Sequence, residues 1–207
     1  MSNRLSKIYT RTGDDGTTGM ADGSRVSKAD ILFTVMGDID ELNSNIGLVR
    51  AQLTQINQVS TQPSAHLQKI ATTEFAQALV IIQHLLFNIG GELAMPEYEG
   101  VNEEHIDWLE QQIDTMNTTL PPLKDFILPT GSVLVSQLHI ARTVCRRAER
   151  QAVLLQQQSP AAIRQTTIRL INRLSDWLFV AARFTTDPAQ VSEVLWDSQV
   201  LQNLDKQ

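Results

Sequence analysis

Two stretches of the chain hold residue types that could do chemistry. The first is Arg142, Arg146, Arg147, Glu149 and Arg150. On a helix each residue turns by ~100°, so Arg142, Arg146, Glu149 and Arg150 share one stripe while Arg147 sits further round. Guanidinium groups crowded on one face repel unless an anion lies between them, and each offers a planar fork that fits phosphate oxygens. Glu149 on that stripe suits orienting an arginine or accepting from a ribose hydroxyl. The same stripe also reads as a solvated face ion-paired to acidic neighbours, and spacing alone leaves both readings open.

The second stretch is Tyr9-Thr10-Arg11-Thr12-Gly13-Asp14-Asp15-Gly16-Thr17-Thr18-Gly19, with glycines three apart. Glycines let backbone N–H groups approach an anion, threonine hydroxyls add donors, and Lys28 adds a cation. The stretch could therefore wrap a triphosphate. It is neither a Walker loop nor a dinucleotide fingerprint: the chain contains no G-x-x-x-x-G-K-[ST], and no strand pattern precedes the glycines. By itself, a glycine spacing of this kind reads first as a flexible N-terminal arm.

The charge distribution bears on the choice. The net charge of −6 conceals 8 arginines between Arg142 and Arg183, opposed only by Glu149 and Asp176. Residues 51–141 carry 10 acidic and 2 basic side chains. The overall negative field argues against a nucleic-acid partner, and a local arginine block suits a small anion such as a nucleoside triphosphate. The single cysteine excludes a disulfide framework. The most apolar stretch, 76–94, is broken by Gln77, Gln83, His84, Asn88 and Glu92, which speaks against a membrane span. The polar start, Met1 to Tyr9, has no signal-peptide run, so the expected location is cytoplasmic.

The elements that must position these residues are helices. Apolar side chains recur three and four apart, which predicts helices over 29–57, 65–95, 102–117, 132–158 and 162–186. The breaks fall at Pro63, Gly90-Gly91 to Pro96, Pro121-Pro122, Pro129 to Gly131 and Ser159-Pro160. Ser132 or Thr130 is a candidate cap for the fourth helix. Leu134, Leu138, Ala141, Cys145, Ala148, Ala152 and Leu155 form its core stripe, so Cys145 reads as a buried, unreactive thiol. The expected fold is all-α: one domain over 1–207, with an ordered N-terminal strap (1–28), an up-and-down bundle of about five helices (29–186) and a tail (187–207).

The strap, Gly23-Ser24-Arg25-Val26-Ser27-Lys28, Asp40-Glu41-Leu42-Asn43-Ser44, Phe126-Ile127-Leu128-Pro129, the arginine segment from Ala141 to Arg150, and Asn172-Arg173-Leu174-Ser175-Asp176 occur in a distinctive order. Together they resemble the trimeric, helical-bundle ATP:cob(I)alamin adenosyltransferases over about residues 7–197. The resemblance implies transfer of the 5′-deoxyadenosyl group of ATP to Co(I) of a corrinoid, giving adenosylcobalamin and triphosphate. It implies that Thr10, Arg11, Thr12, Gly13, Gly16, Thr17, Thr18 and Lys28 wrap the nucleotide. Arg146, Arg147, Glu149, Arg150 and Asn172 of a neighbouring subunit would hold it, with Mg²⁺ carried on its phosphates. Asp40 would pair with Arg142 of another subunit beside the corrinoid, where Asn43 and Asp176 are also expected. Phe126 would pack beneath the corrin and displace its lower ligand. Arg142, Asp40, Phe126 and Arg146 are thus the expected catalytic set. A corrinoid reductase and an adenosylcobalamin-dependent enzyme are the implied partners.

Thr130 departs from the family's usual Leu-Pro-Gly-Gly-Ser, and a Cβ there restricts the loop if φ must be positive. The stretches Met20–Gly23 and Val35–Ile39 also depart from the commoner spelling. A ferritin-like di-iron site is excluded, since no glutamate stands three residues before His66, His84, His105 or His139. The competing class is an ATP-binding helical scaffold, or an adenosylcobalamin carrier, without turnover.

Overall fold

The computed structural model describes residues 8–59, 64–72, 74–95, 97–187 and 192–202. Pro63 and Pro96, read as helix breaks, lie outside them. The chain begins with a short antiparallel hairpin, β1 (Thr17–Gly19) and β2 (Arg25–Ser27), where the sequence suggested only an irregular strap. Helices follow: α1 (Ile31–Val59), α2 (Ala65–Thr72), α3 (Glu74–Ala94), α4 (Glu103–Asn117), α5 (Val133–Gln158), α6 (Gln165–Phe184) and the short α7 (Gln199–Gln202). The stretch expected as one helix over 65–95 is thus described as α2 and α3, on either side of residue 73.

Local chemistry sets several ends. Ser132 caps α5, its hydroxyl accepting from the Val135 N–H at 3.3 Å. Asn102 caps α4 in a reciprocal box: its side chain accepts from the His105 N–H, and the His105 ring accepts from the Asn102 N–H.

Helix α1 packs on both α3 and α5, and α5 packs on α6. Stacking of Phe75 on Trp177, at 5.5 Å and 7°, closes the ring of four between α3 and α6. Neighbours in the ring run antiparallel. Asp38 and Asn45 of α1 meet Arg147 and Gln137 of α5, while Glu149 and Gln156 of α5 meet Asn172 and Gln165 of α6. Helix α4 lies outside the ring against α6 and parallel to it, with Glu103 paired to Arg169 and Glu110 to Arg173.

One apolar core runs through the bundle from Val35 to Ala182 and includes Leu42, Ile82, Leu109, Leu138, Cys145 and Trp177. Burial pushes the Cys145 thiol far above its ordinary range, and the thiol donates to the Ile171 carbonyl. A buried ionic node ties α3 to α6: Glu92 accepts from Arg164, from the Val101 N–H at 2.8 Å and from the Thr167 hydroxyl at 2.5 Å. Among the described residues no helix is long and apolar enough to cross a membrane.

Candidate functional site

The strap is closed by its own cations. Arg25 Nε donates to the Thr17 hydroxyl at 2.9 Å and its Nη2 reaches the Thr12 carbonyl, with the Asp15 carboxylate 3.5 Å away. Lys28 Nζ donates to the Gly13 carbonyl at 2.7 Å, and the Lys28 N–H donates to Gly16. A Cβ at Gly13 would lie 3.0 Å from both Lys28 Nζ and the Thr17 carbonyl oxygen, so a side chain there would have to push the strap apart by a few tenths of an ångström. The Thr10 and Thr12 hydroxyls pair at 2.9 Å, and Arg11 stands at φ 64° with its guanidinium over Tyr9. Hydrogen bonds from the Thr17 hydroxyl and N–H hold the Asp15 carboxyl below its ordinary range. Thr18 pairs with Val26 across the hairpin. The outcome is an internally bonded strap, with Thr10 and Thr12 exposed and Thr17 and Thr18 half-buried, leading into α1.

The arginines of α5 divide into two sets. Arg147 turns onto α1, where Nε donates to Asp38 at 3.0 Å and Nη2 reaches Glu41. Its pKa is raised, first by the Asp38 hydrogen bond and further by the charges of Asp38 and Glu41. Arg142, Arg146 and Arg150 have no carboxylate partner among the described residues. Arg146 and Arg150 are exposed. Arg142 is half-buried, with Nε unpartnered among the described residues; burial lowers its pKa and the Arg146 charge lowers it further. Three cations thus share one face, Arg142 with its Nε unpartnered among the described residues, and guanidinium groups so placed have the chemistry to take an anion. Beside them Glu149 Oε1 accepts from Asn172 Nδ2 at 2.7 Å.

Asp40 is exposed at the edge of a groove of about 470 Å³ between α1 and α3. Asn43 lies deeper in the groove, tied to the backbone of Gln83 and with Oδ1 unpartnered among the described residues. Phe87 projects into this groove at 78% exposure, beside Met36, Gly90 and Gly91. The sequence reading missed Phe87. Its only signal is a large apolar residue on the outer face of a helix whose neighbours Leu86 and Ile89 are core.

Phe126 is likewise 78% exposed, on the loop that leads into α5. The positive φ of this loop falls at Gly131 (145°) and not at Thr130, so the threonine costs the backbone nothing. Asp176 is paired to Arg173 at 2.7 Å and does not line the Asp40 groove.

One protomer does not gather all of these residues. From Ser132 to Arg146 the rise is about 20 Å along α5, so the Phe126 loop and the Arg146 face lie at different levels of the bundle. The strap's hydrogen bonds, among the described residues, stay within the strap and the first turn of α1. Exposed Asp40 and half-buried Arg142 each have no partner of opposite charge among the described residues.

The chain is similar to known proteins over nearly its whole length. Residues 8–185 match the family model described as cobalamin adenosyltransferase. A cobalamin adenosyltransferase of Cupriavidus metallidurans is 44% identical over 199 residues, covering 96% of this chain and 98% of that protein. A corrinoid adenosyltransferase of Mycobacterium leprae is 40% identical over 206 residues, covering 95% and 98%. Among solved structures, a variant PduO-type ATP:corrinoid adenosyltransferase from Lactobacillus reuteri, complexed with cobalamin and ATP, is similar at TM-score 0.78 and 34% identity. The likeness covers 93% of this chain and 100% of that one. An arginine-to-lysine variant of the same type, complexed with ATP, gives TM-score 0.77 and 36% identity over 92% of this chain and 100% of that chain. With the family model matched over residues 8–185 and relatives of this identity covering nearly its whole length, this chain belongs to the cobalamin adenosyltransferase family.

Proposed function

We propose that the protein transfers the 5′-deoxyadenosyl group of ATP to the cobalt of cob(I)alamin, at sites shared between the subunits of a homotrimer. The observation that carries the reading is a pair of charged sets that find no partner of opposite sign among the described residues: Arg142, Arg146 and Arg150 on α5, and Asp40 on α1. A neighbouring subunit can satisfy both, Asp40 meeting Arg142 while Arg146 and Arg150 meet the triphosphate.

In this reading the strap of one subunit, from Thr10 to Thr18 with Lys28, closes over the phosphates. Glu149 and Asn172 of the next subunit hold the nucleoside, and Arg147 braces α5 against α1 beside them. Mg²⁺ enters on the ATP phosphates; among the described residues no group of three or more His, Cys, Asp or Glu is placed to ligate a metal. The corrinoid lies by Asp40, Asn43 and Phe126, with Asp176 at its periphery.

The reaction is a displacement at carbon. The Co(I) electron pair forms the Co–C5′ bond, the C5′–O bond breaks, and triphosphate leaves with that pair. No proton moves, so no general base is required. The protein's work is alignment, together with arginine charge placed where triphosphate charge develops. Phe126 supports an earlier step. An apolar wall under the corrin disfavours the lower ligand, which makes one-electron reduction of Co(II) to Co(I) easier.

The test is anaerobic. Protein, chemically reduced cob(I)alamin, Mg²⁺ and ATP should give adenosylcobalamin by absorbance, with triphosphate in equal amount. ATP binding without either product would instead identify a nucleotide-binding scaffold or cofactor carrier.

A further inference from the structure

The loop that carries Phe126 is held from a distance. Arg183, at the end of α6, has a side chain only 5% exposed. Its Nε donates to Glu193 Oε1 at 2.7 Å, and its Nη2 donates to Glu193 Oε2 at 3.3 Å and to the Pro121 carbonyl at 2.9 Å. One buried guanidinium therefore grips both the start of the loop and the tail that follows α6. Immediately beyond Glu193 the tail pairs with the loop in an antiparallel bridge, Ile127 opposite Leu195. The Leu128 N–H donates to Val194 at 2.9 Å, and the Trp196 N–H donates to the Phe126 carbonyl at 2.7 Å. Ile127 turns inward over a cavity of about 40 Å³, room for a water molecule, shared with His139, Arg183 and Glu193. The alternation of an extended strand then leaves Phe126 facing outward, as its exposure shows.

We propose that Arg183 and Glu193 are positioning residues for the corrinoid step: their ion pair docks the tail, and the docked tail fixes the register and outward aim of Phe126. The assignment rests on reading Phe126 as the wall under the corrin. Neither Arg183 nor Glu193 lies in the arginine face or the strap, so nucleotide binding should not depend on them. Their loss frees the loop to wander, and it should harm the reaction that starts from Co(II), which needs the wall, more than the one that starts from Co(I).

The experiment compares wild type, Glu193→Ala and Glu193→Gln as full chains. Hydrogen exchange at the Leu128 and Trp196 amides is measured first, without corrinoid. In Glu193→Ala both should exchange about tenfold faster or more, as local opening becomes easier, with Glu193→Gln in between. Turnover is then measured from cob(I)alamin and, with a one-electron reductant, from cob(II)alamin. The expected result is a fall in the Co(II)-to-Co(I) rate ratio with an unchanged KM for ATP. Unchanged exchange at both amides overturns the clamp, and so does faster exchange with an unchanged rate ratio. If leaving Arg183 unpaired unfolds the protein, the double variant R183M/E193M removes both charges and is read in the same way. Phe126→Ala serves as the reference. If it leaves the rate ratio unchanged, the wall reading fails, while the exchange data still judge the clamp.

Discussion

Phe126→Ala separates a residue kept for function from one kept for packing, and Phe75→Ala is its counterpart. Phe126 is 78% exposed and Phe75 only 4%. Burying a whole phenylalanine side chain contributes up to about 3 kcal/mol, so Phe126, with about a fifth of its surface covered, contributes roughly 0.6 kcal/mol. Phe75 stacks on Trp177 and packs against Phe184, with ring centroids 5.9 Å apart in the latter pair. Its truncation should cost about 3–5 kcal/mol, the transfer loss plus an unfilled cavity. At roughly 2–4 °C per kcal/mol for a chain of this size, Phe126→Ala should shift Tm by about 2 °C and Phe75→Ala by about 10 °C or more. Calorimetry supplies the Tm values, and anaerobic turnover from cob(II)alamin and cob(I)alamin supplies the activities. Phe126→Ala should be nearly as stable as wild type yet strongly impaired from Co(II). A Tm loss comparable to that of Phe75→Ala would show that Phe126 is a packing residue, and undiminished Co(II) turnover would refute its role as the wall.

Other outcomes follow from single features. Glu92→Leu leaves the Val101 N–H and the Thr167 hydroxyl without their acceptor, while Arg164 keeps Glu99 at 3.5 Å and the Val101 carbonyl, and should cost about 2–4 kcal/mol in urea unfolding with an unchanged m-value. His139 is 4% exposed, and its pKa is lowered by burial first and by Arg142 second, against an opposing pull from Glu193. Below its ordinary value of 6.5 the unfolded chain binds a proton that the folded chain does not, so this residue makes stability fall as pH drops. His139→Gln should flatten the slope of stability between pH 6.5 and the carboxylate range, and an unaltered slope would refute the assignment. Cys145 should react with a thiol reagent only at the rate of unfolding, because burial holds it protonated.

The helices were legible because their core stripes follow helical periodicity so closely. All seven residues named for the α5 stripe, from Leu134 to Leu155, are buried. The Ser132 cap was legible for the same kind of local reason. The hairpin was not, since strands of three mostly polar residues show no alternation. The pairing of Arg147 with Asp38 and Glu41 joins residues 109 and 106 apart, so only tertiary structure reveals which of the clustered arginines is neutralised. Phe87 was invisible because an outward phenylalanine on a long helix looks like any surface residue until a groove forms beside it. Thr130 looked more disruptive than it is, because sequence alone could not place the positive φ one residue later, at Gly131.

Mixing two disabled variants asks whether adenosyl transfer occurs at sites that need two protomers. Lys28→Ala removes the strap's cation, and Arg146→Ala removes a cation of the arginine face. Each alone should be nearly inactive. Unfolded and reassembled together in equal amounts, they should form, in the proposed homotrimer, mixed assemblies in which one interface receives both wild-type residues. Random assembly then restores about a quarter of wild-type turnover in a closed three-fold ring. Recovery near that level is the expected result. Two variants that stay as inactive mixed as apart, in assemblies shown to contain both, would contradict a site shared between subunits.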